Sequence, residues 1–445
     1  MESPRQTGLD PAETTFVGRS REVPDVSFRA FLAGRGAPRV HWAAPDGLEV
    51  VGAGEAARLT GAGGERFSAV REAGETAFDG ADAPEGPARP RFFGGAAFHD
   101  DHEPSPPWEG FPPATFVLPR IQLVRTDDAT HLTVVRADGD AVAAEADLEA
   151  AAAEIDDLPA MRPVEDPPGV VASRRTTTEQ EWAEGIEAAV ERIEAGELRK
   201  VVLAVALAVT LEEEVVVSDT LERLRRSYPD CFRFLVQPTD EAGFFGVPPE
   251  RLVRLEGDHA VTEALAGTVA RGETPEEDAA LADSLLGSEK LQHEQALVAE
   301  AIEEHLAPLG DVRVAEQGVR KLANVQHLHT PIEADLDGDT HVLELVDAIH
   351  PTPAVGGLPP ETAERVIRET ETFERGWYAA PVGWFDTDGD GEFAVGIRSA
   401  VAGGRRATLF AGNGIVADSD PEVEWEEVGL KLEPILAALD TDDED

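Results

Sequence analysis

Apolar, β-branched runs alternate along this chain with stretches whose apolar residues recur every three to four positions. The densest run, Val201-Val202-Leu203-Ala204-Val205-Ala206-Leu207, is entered through the charged head Glu197-Leu198-Arg199-Lys200. An unbroken run of this kind is a strand covered on both faces. Upstream, Thr178-Glu179-Gln180-Glu181 forms a capping box, and Trp182, Ile186, Val190 and Ile193 follow at helical spacing. Gly196 closes this helix and hands the chain straight to the strand.

Residues 1–150 read mostly as strands and turns. A strand at 40–44 runs into a hairpin turn and a second strand at 48–51. Gly52-Ala53-Gly54-Glu55-Ala56-Ala57 nearly matches a dinucleotide fingerprint but lacks a βαβ unit around it, so it reads as a glycine turn before a short helix. Residues 91–98 form a strand whose glycines mark close backbone approach. Strands at 114–125 and 131–137 form a pair, and an alanine-rich helix covers 147–155. The Pro- and Asp-rich segment 156–175 is a surface linker.

Beyond the central strand come a helix at 219–228 and strands at 231–236 and 243–247. Val261 to Thr268 ends in a Gly-Thr turn that can offer N–H groups to an anion. Helices cover 276–284 and 288–306, the second carrying His293-Glu294 near its start. A strand at 324–328, a helix at 342–348, a proline-stiffened loop at 350–357 and a helix at 361–369 follow. A hairpin joins 377–385 to 391–400. The strand 407–412 ends in a second glycine turn, Gly412-Asn413-Gly414, before a final helix from 421. No internal repeat is visible. The chain divides into a β-rich part at 1–160, a second part at 176–435 and a disordered acidic tail at 436–445, the first two forming one structural domain.

Composition sharpens this picture. At 445 residues and 42% hydrophobic, the chain can bury a large core. Its 38 Lys+Arg against 88 Asp+Glu give a net charge of −50, with the acids scattered along the whole length. Apolar periodicity this strong argues for a folded, halophilic protein whose acidic surface suits high salt. The charge excludes nucleic-acid binding, which needs a basic stripe. Cys231 is the only cysteine, so there is no disulfide framework and no cysteine-based metal cluster. Residues 1–11 are polar and lack a signal core, and no apolar run reaches the roughly 20 residues that span a bilayer. The expectation is a soluble cytoplasmic protein with no membrane partner.

Several residues carry candidate chemistry, each with a plainer alternative. Burial disfavours an ammonium, so Lys200 at the strand entrance is either a base or a snorkelling gatekeeper. Glu250, at the mouth of the strand Arg251-Leu252-Val253, is either a solvated carboxylate or an acid. His327 is a core histidine or a catalytic one. Asp386-Thr387-Asp388-Gly389-Asp390-Gly391 matches the first six positions of a calcium loop, but the twelfth is Ile397 instead of Glu, which favours an acidic hairpin turn.

Seven stretches in order resemble the chorismate-utilising enzymes, the family of anthranilate synthase component I, aminodeoxychorismate synthase, isochorismate synthase and salicylate synthase. They are Arg199-Lys200-Val201-Val202-Leu203-Ala204, Pro249-Glu250-Arg251-Leu252, Leu265-Ala266-Gly267-Thr268, Ser288-Glu289-Lys290 with His293-Glu294, His350-Pro351-Thr352-Pro353-Ala354, Pro381-Val382-Gly383-Trp384, and Ala411-Gly412-Asn413-Gly414-Ile415-Val416 with Ser419-Asp420-Pro421-Glu422. The resemblance covers roughly residues 90–435. It implies an α+β fold of two packed antiparallel β-sheets with helices outside and the site between them.

The branch follows from a few positions. Lys200 is similar to water-using members, where amine users typically carry Gln. Ala266 stands where aminodeoxychorismate synthases often place a nucleophilic Lys. Thr262-Glu263-Ala264-Leu265-Ala266-Gly267-Thr268 most resembles isochorismate synthase, with salicylate synthase the nearest alternative and anthranilate synthase component I further off. The resemblance implies Lys200 as base toward water and Glu250 as acid toward the C4 hydroxyl of chorismate. It implies Mg²⁺ held by Glu294 and Glu427, with Glu424 behind a metal-bound water. It further implies Arg398 on the enolpyruvyl carboxylate, and an anion cradle from Gly267, Thr268, Gly412, Gly414 and Lys431. His327, Ala354 and Tyr378 would line the pocket. Water-using members need no amidotransferase subunit, so the expectation is a monomer or homodimer, serving menaquinone or, less so, siderophore synthesis. The chain departs from the family pattern at Val205 (usually Arg), Leu291 (often acidic) and Asn413 (commonly small).

Overall fold

The computed structural model describes residues 15–322 and 325–441, with the backbone only for Lys290. The polar stretch 1–11, Asn324 and residues 442–445 of the acidic tail lie outside the described residues. The remainder of the expected tail is ordered at its start, because the last helix, Pro421–Leu439, runs through 436–439.

The described strands form one continuous antiparallel network with two arms. The apolar run becomes the strand Lys200–Leu211, eight of whose first residues are buried in succession. It pairs with Arg406–Ile415, which pairs with Ser399–Gly403; Gly243–Gly246, Arg233–Gln237 and Arg39–Ala43 then continue this arm. The other arm runs from Arg91–Ala96 through Pro381–Asp386, Gly391–Val395, Arg251–Glu256 and His259–Ala270 to Val325–Leu336. The strands Glu49–Gly61 and Ala114–Arg125 join the arms, for the first half of Ala114–Arg125 faces Arg91–Ala96 and the second half faces Thr130–Arg136. The two expected sheets are therefore halves of one ladder. The 1–160 and 176–435 segments are interleaved in both arms.

Helices cover the outside. Glu179–Glu194, Pro360–Thr370 and Pro421–Leu439 pack on the first arm; Glu289–Leu306 and Val342–Ile349 pack on the second. The capping box forms as its sequence requires, with Thr178 and Glu181 bonding reciprocally, and Trp182 and Ile186 are buried beneath it. No helix among the described residues is long and apolar enough to cross a membrane.

Four local expectations change. Gly52 to Ala57 is no turn and helix; it lies inside the strand Glu49–Gly61, where Gly52 admits Pro119 and a Cβ would sit 2.5 Å from that ring. The 156–175 linker ends in a strand, Val170–Arg175, on the edge of Lys200–Leu211. Gly267 is a bulge within His259–Ala270, not a terminal turn. Gly412 to Gly414 likewise lies within a strand, opposite Ala204 to Val202. In each case a partner strand supplies the hydrogen bonds that local sequence cannot foretell.

The hairpin expected at 377–400 also divides. Gly391–Val395 belongs to one arm and Ser399–Gly403 to the other, so the chain crosses between arms at 396–398. Earlier in the chain it makes a first such crossing at 247–250, between Gly243–Gly246 and Arg251–Glu256, so 396–398 is the second. The two crossings bond to each other: Val247 N–H donates to the Arg398 carbonyl at 3.0 Å and Val395 N–H to that of Glu250 at 3.2 Å.

Candidate active site

The double crossing opens a cavity of about 660 Å³ between the arms. Its lining includes Lys200, Glu250, Gly267, Thr268, Glu294, His327, Ala354, Tyr378, Arg398, Gly412, Gly414, Glu424, Glu427 and Lys431, which is every site residue expected from the sequence. They arrive from the two arms, both crossings, the helices Glu289–Leu306 and Pro421–Leu439, the loop after His350, and, for Tyr378, the turn before the strand Pro381–Asp386.

Lys200 is the first residue of its strand and is 2% exposed. Its Nζ sits 2.7 Å from Oε1 of Glu294, one turn into the facing helix. Gly414 leaves the room for this pair, since a Cβ there would lie 2.7 Å from Lys200 Cε.

Glu250 closes the first crossing and is buried. Burial, reinforced by the neighbouring Glu263 carboxylate, pushes its carboxyl up to about 8 against the pull of Lys200 and Arg320. At neutral pH it therefore carries a proton.

Arg398 occupies the second crossing with φ 47, a left-handed conformation that non-glycine residues rarely adopt. Its Nη1 is buried with no hydrogen-bond partner among the described residues. His327 holds Nδ1 3.0 Å from Thr268 Oγ1, while its Nε2 is likewise unpartnered. Burial, then the Arg398 and Lys431 charges, push this imidazole down to about 3, so it is neutral. Two orphaned buried polar groups in one cavity call for a ligand with acceptors, such as a carboxylate. Burial also pushes the Tyr378 phenol up; its ring stacks on Phe410 with centroids 5.4 Å apart.

On the last helix, Glu424 and Glu427 lie one turn apart toward the cavity. Burial raises the Glu424 carboxyl, and Glu427 adds to this against hydrogen bonds from Ser419 and Asn413. Lys431 donates to the Gly412 carbonyl at 3.1 Å and to Asn413 Oδ1 at 2.6 Å, and pairs with Glu427 at 2.8 Å. These acceptors use all three of its protons, so it lends the cavity charge rather than a free donor. With Glu294, the two glutamates supply carboxylate oxygens, the hard donor type that suits Mg²⁺, while Lys200 and Lys431 pair with Glu294 and Glu427 in this structure.

Sequence inspection missed the contribution of four residues. Asn413, noted only as a departure, donates to both the backbone carbonyl (2.9 Å) and the carboxylate (3.0 Å) of Glu424. Leu291, likewise noted only as a departure, packs against the Gly267 bulge. Glu263 and Arg320 pair behind Glu250 at 2.9 Å; nothing in local patterning marks them, although Glu263 lies within a motif. Val205 is wholly buried in its strand. The carboxylates of Asp386, Asp388 and Asp390 do converge, but the Arg89 guanidinium lies among them at 3.0, 2.7 and 4.0 Å. This agrees with an acidic hairpin turn.

Known proteins share both sequence and fold with the chain. A family profile described as chorismate binding enzyme matches residues 9–440. The chain is 37% identical over 411 residues to the salicylate biosynthesis isochorismate synthase of Pseudomonas aeruginosa, covering 91% of this chain and 85% of that one. It is 35% identical over 354 residues to isochorismate synthase MenF of Bacillus subtilis, covering 79% and 74%. Its fold matches MenF, the menaquinone-specific isochorismate synthase of Escherichia coli, with a TM-score of 0.82 at 28% identity over 96% of this chain and 95% of that one. The chain belongs to the chorismate binding enzyme family.

Proposed function

We propose that the protein is an isochorismate synthase that converts chorismate to isochorismate, most simply for menaquinone synthesis. The observation that carries this reading is a protonated carboxyl, Glu250, sharing one cavity with a buried lysine, Lys200, on a different element. Hydroxyl exchange across a ring needs such a division, with a base on one side and an acid on the other.

In this reading Lys200 first gives up the proton it shares with Glu294, and the neutral amine then takes a proton from water as the water oxygen bonds to C2. The ring double bonds shift, the C4–O bond breaks, and Glu250 gives its proton to the departing hydroxyl, which leaves as water. One water enters and one leaves, so product and substrate are isomers. Arg398, with its unpartnered nitrogen, holds the enolpyruvyl carboxylate, and neutral His327 donates from Nε2 while Thr268 orients it. Glu294 and Glu427 would hold Mg²⁺, with Glu424 behind them, and the ion would neutralise the ring carboxylate. No ammonia is consumed, so no amidotransferase subunit is required.

The test is chromatographic product identification after incubation with chorismate and Mg²⁺ in molar KCl, with and without ammonium. Isochorismate without pyruvate is expected, and Lys200→Ala should lower kcat by roughly 10²–10⁴-fold. Salicylate with pyruvate would assign the neighbouring lyase activity instead. Anthranilate formed only with ammonium would overturn the role of Lys200.

A further inference from the structure

Glu263 is enclosed at 8% exposure yet does not line the cavity. Four contacts hold it. Arg320 Nη1 reaches both of its oxygens, at 2.9 and 3.0 Å, and His329 Nε2 lies 2.8 Å from Oε2. The backbone N–H of Arg251 donates to Oε1 at 3.0 Å. Burial works against this charge, but the His329 hydrogen bond and the Arg320 guanidinium prevail, and the carboxyl sits below its usual range. Arg251 follows Glu250 directly, so the same contact that fixes Glu263 also fixes the crossing that presents Glu250.

The other charges near Glu250 are already committed. Lys200, from the central strand, is paired with Glu294 of the facing helix. Arg320, from the strand Gly318–Lys321, is spent on Glu263. On the neighbouring strand Val325–Leu336, His329 also faces Glu263 and His327 is neutral. Glu392, from Gly391–Val395, is taken by the Arg251 side chain at 2.9 Å. Glu250 thus faces a permanent anion and has no ion-pair partner of its own among these groups.

We propose that Glu263 is a positioning residue for the reaction: a pinned carboxylate that keeps the Glu250 carboxyl in its proton-donating form and anchors the crossing that aims it. This rests on Glu250 acting as the acid. Two like charges in one enclosed space cannot both ionise readily, and the one with the cations and N–H donors keeps the charge. A proton donor is active below its pKa and fails as pH rises through it. Loss of Glu263 must therefore move the basic limb of the rate profile to lower pH.

The experiment measures two things in the full chain with Glu263→Gln. One is the pH profile of kcat. The other is the titration of the Glu250 carboxyl by infrared difference spectroscopy, identified by the band that disappears in Glu250→Gln. Both are expected to move down by about one pH unit, the scale of a close charge effect. A Glu250 titration that stays in place overturns the proposal. A titration that moves while the kcat limb does not would uphold the charge effect and overturn Glu250 as the acid. Should Glu263→Gln fail to fold with Arg320 left unpaired, Glu263→Gln/Arg320→Gln removes both charges. A smaller downward shift is then expected, and none at all overturns the proposal.

Discussion

Single side chains in this protein are held in states that cost stability. Glu250 has a folded pKa near 8 against an ordinary 4.5. Between those values folding must take up a proton, so the group favours the native state fully below about pH 4.5 and that contribution is lost as pH rises through about 8. Glu250→Gln keeps the shape and removes the titration. It should lower kcat by roughly 10²–10⁴-fold yet raise stability at pH 8 by on the order of 1 kcal/mol or more. Calorimetry at pH 5 and pH 8 checks this: the gain should be larger at pH 8, and an equal gain at both would show that Glu250 is not held neutral. Asn413 works the other way, joining Glu424 to Lys431, so that two successive turns of the last helix stay in register with the strand beneath.

At the scale of elements, the site is made where strands change arms. Glu250 and Arg398 sit on the two crossings, which bond to each other through Val247 and Val395. Glycines then set how closely neighbours approach. Gly267 takes φ +63 in its bulge beside Leu291, and Gly414 faces the Lys200–Glu294 pair. A methyl at Gly414 would lie 2.7 Å from Lys200 Cε and 3.1 Å from Glu294 Oε1, so it displaces the pair more readily than the strand. Gly414→Ala should cost about 1–3 kcal/mol, as overpacking does. It should also cost roughly 10²-fold in kcat through misplacement of Lys200. Gly318→Ala, whose Cβ meets nothing within 4 Å, is the control and should keep full rate. Equal rates for the two variants would show that the Lys200–Glu294 geometry does not matter to turnover.

Across the whole molecule, a net charge of −50 opposes compaction. Exposed bridges such as Arg21–Glu149 and Arg313–Asp335 are each worth little and weaken in salt. The Debye length falls from about 10 Å at 0.1 M to about 3 Å at 1 M salt. If self-repulsion outweighs the bridges, Tm must rise between 0.1 and 1 M KCl, and we expect it to do so. A falling Tm would mean that the ion pairs dominate, and would remove the physical ground for a high-salt habitat.

The sequence by itself determined the covered strand after Lys200, the capped helix before it, and the list of residues that meet in the cavity. The strand and the helix are local signals, an unbroken apolar run and a reciprocal cap, whereas the list of site residues is what the resemblance carried by the seven motifs implies. Tertiary structure alone decided that Gly52 to Ala57, Gly267 and Gly412 to Gly414 lie within strands, because their hydrogen-bond partners are far away in sequence. It also decided which carboxyl is protonated. Glu250 and Glu263 look alike on the page, thirteen positions apart counting by their numbers. One receives Arg320, His329 and an N–H, the other receives burial, and a charge settles where its partners are.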